Sequence, residues 1–353
     1  MAIDIFKRRS MVAMISTRVP LKTWFMNTFF QDRLFHDTDT FDIDIEKEGQ
    51  SMAAYGHPLR EGKLVLNEGF STKSYKPSYV NEHTITTAGH LLNDRQAGGT
   101  VYSDGKTPTQ RAVEKMAKDF DKLDRRFTRL EEHQCAEAIV YGKVTISDDE
   151  ETRVVNYNRN ADHSIVLLNT ANWADPASDP IEDIRQWAEM LEDNGLHVPD
   201  IILFGSVVNS YFRKHAKVKE YFDVRNYHVG QFKPEFDKVK GLKHLWTLDE
   251  FGLEVFSYSG KYQHPDTGVM TPYMPELAVM MASTDARNTM HYGVIQDLDA
   301  VESASHVTDR YPQSYVEGHP KKRFVSLQSA PLAANHTPDT VMVAWVIDPT
   351  YLP

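Results

Sequence analysis

Fifteen histidines and a run of four acids, Asp148-Asp149-Glu150-Glu151, are the residues of this chain best suited to chemistry. A zinc hydrolase would need two histidines four apart on a helix with a glutamate between them, so that both imidazoles project from one face, and no pair meets that spacing. His83 and His90 stand seven apart in a strand-like segment, and His215 and His228 flank a loop-like one. Each is read as a surface or internally satisfied histidine. The acidic run lacks the alternation and the glycine that a calcium loop requires, which leaves a solvated turn. Asp42, Asp44 and Glu46 alternate with Phe41, Ile43 and Ile45, the pattern of a strand with one wet face, not of an acid–base pair.

Two nucleotide or acyl-transfer motifs come close and fail. Gly56-His57-Pro58-Leu59-Arg60-Glu61-Gly62-Lys63 resembles a phosphate cradle, but its spacing is one residue too long, Leu64 replaces the hydroxyl residue and a proline intrudes. Gly205-Ser206-Val207-Val208 lacks the second glycine of a nucleophile elbow, and Ser206 reads as a helix cap. Catalytic groups can converge from distant positions, so these failures lower the case for an enzyme without closing it. No catalytic residue, metal or cofactor is expected.

The elements that would position any site begin with Phe41-Asp42-Ile43-Asp44-Ile45, a half-buried strand. Between residues 56 and 89, Lys63-Leu64-Val65-Leu66 and Thr84-Ile85-Thr86-Thr87 read as arms of a long hairpin whose tip spans Phe70 to Tyr75. A lone two-stranded ribbon is marginal in water, so it needs a partner surface. Thr107-Pro108-Thr109-Gln110 supplies an N-cap, a proline at the first helical position and a capping-box glutamine, and Gly142 supplies the stop. Val113, Met116, Phe120, Leu123, Phe127 and Leu130 form one apolar stripe along a helix of about 50 Å. Lys143-Val144-Thr145-Ile146 and Arg153-Val154-Val155-Asn156-Tyr157 make a hairpin around the acidic turn. Residues 158–179 read as a domain boundary. Beyond it, an α/β region holds a helix capped at Asp179, a buried strand Ile201-Ile202-Leu203-Phe204, a helix near Ser206, and strands near residues 253–258, 277–282 and 290–295. Two more strands, Phe324-Val325-Ser326-Leu327 and Val341-Met342-Val343-Ala344-Trp345-Val346, return at the end.

At 353 residues the chain has room for two or three domains, and 41% hydrophobic content supports a large core. The net charge of −11 argues against a protein built to grip phosphate backbones. The first 35 residues run the other way, with Lys7, Arg8, Arg9, Arg18, Lys22 and Arg33 against Asp4 and Asp32, and read as a solvated arm or one that lies on an acidic neighbour. No apolar run long enough for a membrane span and no leader peptide is expected. The single cysteine, Cys135, precludes an internal disulfide and fits folding in a reducing cytoplasm.

Against that background, His291-Tyr292-Gly293-Val294-Ile295-Gln296-Asp297-Leu298-Asp299-Ala300, Arg310-Tyr311-Pro312 and Gln328-Ser329-Ala330-Pro331-Leu332 resemble the lambda-type major capsid protein family. The resemblance continues through Lys217-Val218-Lys219-Glu220-Tyr221, Tyr258-Ser259-Gly260-Lys261-Tyr262, Met274-Pro275 and Phe29-Phe30, and more loosely Ala286-Arg287. It covers residues 25–346 and departs from the family in the first 20 residues and in 158–179.

What the resemblance implies is an α+β, HK97-like capsid fold with an N-terminal arm and first strand (1–48), an extended β-hairpin loop (49–90), a peripheral domain (91–179) with a spine helix (107–141), an axial domain (180–320) and returning strands (321–353). Inter-subunit contacts are then expected at Arg60, Lys63, Phe70, Tyr75, Tyr79, Asp148, Asp149, Glu150, Glu151, Arg153, Val224 and Arg225. The family implies hexamers and pentamers of the chain itself, scaffold, portal and decoration proteins as partners, and DNA packaged without sequence-specific binding. It implies a virion protein assembled in the host cytoplasm, with no membrane. An acidic subunit suits a shell that must later release its DNA. Two rivals share parts of this pattern: a capsid-like compartment enclosing protein cargo, and a soluble hydrolase without recognisable motif.

Overall fold

The capping box read at Thr107 closes in both directions: its hydroxyl accepts the Gln110 amide at 3.3 Å, and Gln110 Oε1 accepts the Thr107 amide at 2.8 Å. The helix that follows, Pro108–Tyr141, runs 34 residues and stops at Gly142, whose φ of +64° is left-handed. That conformation favours glycine, and a Cβ there would also meet the Arg159 side chain at 3.1 Å. Arg159 finishes the terminus, donating from Nη1 to the Val140 carbonyl at 2.9 Å and from Nη2 to the Ile139 carbonyl. A cation at the negative end of a helix satisfies carbonyls left open by the last turn. Met116, Phe120, Leu123 and Phe127 bury one stripe of the helix. From Glu131 onward burial spreads around the circumference, with Glu131, Glu132, Gln134, Cys135, Ala136 and Ala138 to Val140 all inside.

This computed structural model describes residues 8–16, 21–45, 71–92, 107–147, 151–195, 197–224, 239–248 and 251–349. The far end of the long helix packs on a six-stranded sheet ordered Ser164–Val166, Val341–Trp345, Ala278–Ala282, Ile201–Gly205, Leu253–Tyr258, Leu242–Leu248. The three central strands are apolar throughout because both faces are covered. Ile201, Leu203, Met280, Ala282 and Val343 point into the same core as Cys135 to Val140. Their alternates Ile202, Phe204, Val279, Met281, Met342 and Ala344 point into a second core with Ile184, Trp187 and Leu191 of helix Pro180–Gly195 and Phe212 of helix Val208–Lys214. The period of two thus splits each strand between two cores.

Smaller sheets surround this centre. Asp32–Phe35, Asn288–Tyr292 and Pro331–Asn335 form one, with the first pair parallel. Tyr311–Glu317, Lys322–Ser329 and Val80–Thr86 form another. Phe41–Ile45 pairs antiparallel with Ser71–Tyr75, and Lys143–Ser147 with Thr152–Asn156.

Four readings of the sequence change. The legs of the hairpin are Phe41–Ile45 and Ser71–Tyr75, so residues 71–75 are a strand and not a tip; Phe41, Ile43 and Ile45 are buried on one face, and the strand needs an edge partner that local pattern does not reveal. Thr84 to Thr86 instead pair with Lys322–Ser329, and Lys63 to Leu66 lie outside the described residues. Residues 158–179 are no mere boundary: Ser164–Val166 is the edge strand of the large sheet, and Trp173 fills the second core, stacked 5.8 Å from Trp187. Ser206 does not cap: Val207 precedes helix Val208–Lys214 without a side-chain cap bond. The basic arm opens, within the described residues, on a helix, Arg8–Ser16, with Met11 buried against Met116, Phe120 and Val325 of the chain's own body. Its apolar side outweighs the charge at its start. Among the described residues no helix is long and apolar enough to cross a membrane.

Candidate inter-subunit surface and its braces

Three of the described contact candidates, Tyr75, Glu151 and Arg153, fall at the foot of the hairpin whose legs are Phe41–Ile45 and Ser71–Tyr75. Tyr75 donates its hydroxyl to the Asn156 carbonyl at 3.3 Å, and Lys73 Nζ lies 3.4 Å from the same carbonyl and 3.2 Å from Asn158 Oδ1. Arg153 reaches back, with Nη1 3.4 Å from the Lys76 carbonyl and Nε 2.9 Å from Glu151. Tyr75, Glu151 and Arg153 are therefore brought together where the leg of one hairpin crosses the strands of the next. Exposed pairs like these are individually worth little, so their value is in alignment. Val154, beside Arg153, leaves 54% of its surface exposed and gives this crossing an apolar outer face. Val224 ends helix Ala216–Val224, and Arg60, Lys63, Phe70, Asp148, Asp149, Glu150 and Arg225 lie outside the described residues.

Tyr79 stands apart from Tyr75. Its hydroxyl donates to Gln328 Oε1 at 2.5 Å, and Gln328 Nε2 continues to Asp297 at 3.3 Å. Burial, with Asp297 beside it, pushes the phenol up to about 12. Asp39 accepts from Gln296 and pairs with Lys76 Nζ at 2.6 Å. The Gln296-Asp297 and Gln328-Ser329 blocks are thus one polar brace tying the foot of the hairpin to the sheet behind it. Sequence reading saw the blocks but not that they touch each other.

Two carboxylates of the spine helix anchor the remainder. Arg310 Nη1 and Nη2 hold Glu131 at 2.6 and 2.7 Å, Nε reaches Asp124 at 3.1 Å, and the Tyr292 hydroxyl donates to Glu131 at 3.2 Å. Burial opposes the guanidinium's charge, yet the paired carboxylate outweighs it and holds the group above its ordinary range. Glu132 accepts the backbone amides of Trp24, Phe25 and Met26 at 2.8, 3.0 and 2.9 Å. It thereby satisfies the open N-terminus of the short helix Phe25–Phe29 and pins the N-terminal segment to the spine. Burial raises this carboxyl in spite of those three donors. Neither glutamate was singled out from the sequence; the available signal was their place beside the all-round apolar run from Cys135 to Val140.

Among the described residues no three histidines, cysteines or acids are grouped to hold a metal ion. His83 is exposed, His215 is buried with Nε2 3.2 Å from both Ser178 Oγ and the Asp175 carbonyl, and His228 lies outside the described residues. Asp42 and Asp44 are exposed, as a solvated strand face requires, with Asp44 accepting the Thr72 hydroxyl at 2.7 Å.

A family model described as phage major capsid protein E matches residues 7–346. The major capsid protein of Escherichia phage N15 is 26% identical over 343 residues, spanning 95% of this chain and 97% of the relative. That of Escherichia phage lambda is 26% identical over 322 residues, spanning 89% and 91%. The crystal structure of a prophage capsid protein from E. coli CFT073 matches with a TM-score of 0.74 at 16% identity, covering 96% of this chain and 98% of that one. At that identity the structural likeness speaks for the fold.

Proposed function

Because the chain belongs to the phage major capsid protein E family, we propose that copies of it close, as hexamers and pentamers, into the icosahedral head that encloses the double-stranded DNA of a tailed phage. The chain is a phage major capsid protein with an HK97-like α+β fold, a structural component of the virion and not an enzyme. The observation that carries the reading is the family match, which runs almost from end to end of the chain. The hydrolase reading falls with it, and the relatives' phage origin favours a DNA-filled head over a compartment for protein cargo.

Within this reading, 1–48 is the arm and first strand, 49–90 the extended loop, 91–179 the peripheral domain and 180–320 the axial domain. Pairing supports one refinement: Tyr311–Glu317 is bonded to Lys322–Ser329, so the boundary drawn at 320 moves to before 311. The loop lies over a neighbouring copy through Arg60, Lys63 and Phe70, with Tyr75 and Tyr79 at its foot. The acidic turn, Asp148 to Glu151 with Arg153, meets its counterparts from other copies, where like charges need a cation or basic partners. Val224 and Arg225 face copies around the axial centre. Many modest contacts suffice, since closure multiplies them. Scaffold, portal and decoration proteins complete the partner set, assembly takes place in the bacterial cytoplasm, and DNA is enclosed without sequence readout.

The test is expression of the chain with its neighbouring scaffold gene, followed by size-exclusion chromatography and negative-stain microscopy. Closed shells are expected, and a monomer that never assembles under any condition overturns the reading. Replacing Arg60 and Lys63 together by Ala is expected to lower the assembled fraction while leaving the unfolding transition of the subunit unchanged. Undiminished assembly removes those two residues from the interface.

A further inference from the structure

Three histidines from three distant segments meet where the N-terminal strand joins the body. His36 follows Asp32–Phe35, His291 lies within Asn288–Tyr292, and His336 follows Pro331–Asn335. His36 Nε2 and His291 Nδ1 are 2.8 Å apart with their rings nearly parallel. The ring of Phe41, on the first hairpin leg, stacks 4.3 Å from His36 and 4.9 Å from His291. His336 packs 5.8 Å from His291 and donates from Nδ1 to the Asp44 carbonyl at 2.7 Å, so it too touches the leg. One cluster therefore fastens both Asp32–Phe35 and Phe41–Ile45.

The contact between His36 and His291 works only while one facing nitrogen lacks a proton, because one ring must donate and the other accept. Protonating both would set two N–H groups head-on at hydrogen-bond distance and leave a charge on His291, which is 3% exposed. Among the described residues, the acids of the surrounding elements are turned to solvent or already engaged, apart from Asp37 beside His36. On the N-terminal segment Asp37 attracts the charge of His36, while Arg33 pairs with Asp309 at 3.5 Å. On the hairpin leg Asp42 and Asp44 point to solvent, and the carboxylate of Glu131 on the spine is taken by Arg310 and Tyr292. Asn288–Tyr292 and Pro331–Asn335 bring no charged residue except His291 itself. In keeping with this, burial and the two neighbouring histidines hold His291 down to about 3, and burial lowers His36.

Phe41, Ile43 and Ile45 hold the hairpin leg in the main core as well, but the rest of the strand's attachment is slight. Asp32–Phe35 is exposed along its whole length and is held by four parallel register pairs, the His36 amide on the Tyr292 carbonyl at 2.9 Å, and the Phe35 ring 5.3 Å from that of Tyr292.

We propose that the cluster of His36, Phe41, His291 and His336 is a proton-released latch, closed at neutral pH, that lets the N-terminal strand leave the body in acid. It stands on this geometry alone and does not depend on how the shell is built. The sign follows from linkage: the latched form resists protonation and the open form accepts it near 6.5, so opening is constant above that value and grows as pH falls towards 3.

The test is amide hydrogen exchange by mass spectrometry on the full chain from pH 8 to 4, corrected for intrinsic rates. Opening of residues 32–36 is expected to rise by up to about tenfold per pH unit below 6.5 for each proton taken up, while Ile201–Gly205 stays flat. His291→Gln, which keeps a polar group but cannot titrate, is expected to flatten that slope. A wild-type slope no steeper at 32–36 than at 201–205 overturns the latch, as does a slope unchanged in a folded His291→Gln protein. Exchange at the imidazole carbon of His291 in the wild type decides the matter independently of any variant: ordinary titration near 6.5 with the strand still protected sinks the proposal.

Discussion

Arg310 grips Glu131 through both terminal guanidinium nitrogens at a point where the two side chains are 10% and 2% exposed. A buried pair is weak evidence of net stabilisation, but breaking it strands a charge. Arg310→Met is therefore expected to destabilise the subunit by about 3–5 kcal/mol. Arg310→Met with Glu131→Met is expected to recover a large part of that loss. Urea denaturation of the single and double variants measures both, and a double variant no better than the single would show that the ion pair is not the source of the loss.

Glu132 makes a separate prediction because its partners are main-chain amides. Glu132→Gln turns an acceptor into a donor facing an N–H, and is expected to lose about 1–3 kcal/mol at neutral pH. Its pH dependence runs opposite to that of a surface carboxylate. Burial holds the folded carboxyl above its ordinary value of 4.5, so its contribution is greatest below that value and declines as pH rises through the raised one. Stability of wild type and variant compared across acid pH checks the sign: the decline should be present in the first and missing from the second.

Gly205 ends the central strand Ile201–Gly205 against the turn at Pro275 and Glu276. A Cβ there would stand 2.3 Å from the Pro275 carbonyl oxygen and 2.6 Å from that of Glu276, both backbone. Gly205→Ala must push two segments apart and is expected to destabilise by at least about 1–3 kcal/mol, read as a lowered melting temperature.

How much of this was legible depends on the range of the interactions. The spine helix could be read because its cap, stripe and stop lie within one segment, and helix Pro180–Gly195 for the same reason. Ile201 to Phe204 and Val341 to Val346 were visible as apolar runs, but nothing in them says which strands lie between. The partner of Phe41–Ile45 was missed because pairing with Ser71–Tyr75 is non-local and Ser71 to Tyr75 carry no apolar alternation of strand type. Trp173 sat in a polar, proline-containing stretch that hid its burial. The interface candidates rested on resemblance, and the Gln296, Asp297 and Gln328 brace only became a unit once the fold joined blocks some thirty residues apart.

The helix ends give a local check on that argument. Thr107→Ala removes the hydroxyl that accepts the Gln110 amide and is expected to cost about 1 kcal/mol. Gly142→Ala forces a side chain into a left-handed φ and against Arg159, and is expected to cost more than that. Circular dichroism melts of the two variants rank the effects, and the reverse order would mean that Arg159 gives way freely.

The change in burial at Glu131 also sets the mechanics of the long helix. Before it, one side of the rod is in contact and the other meets water; after it, neighbours enclose all but the face of His133, Glu137 and Tyr141, and dense packing resists deformation. Flexure therefore concentrates in the turns between Thr107 and Leu130, while the stretch from Glu131 to Tyr141 acts as a socket. When the subunit is loaded from outside, strain enters at the half of the helix held on one side only and stops where the six-stranded sheet begins.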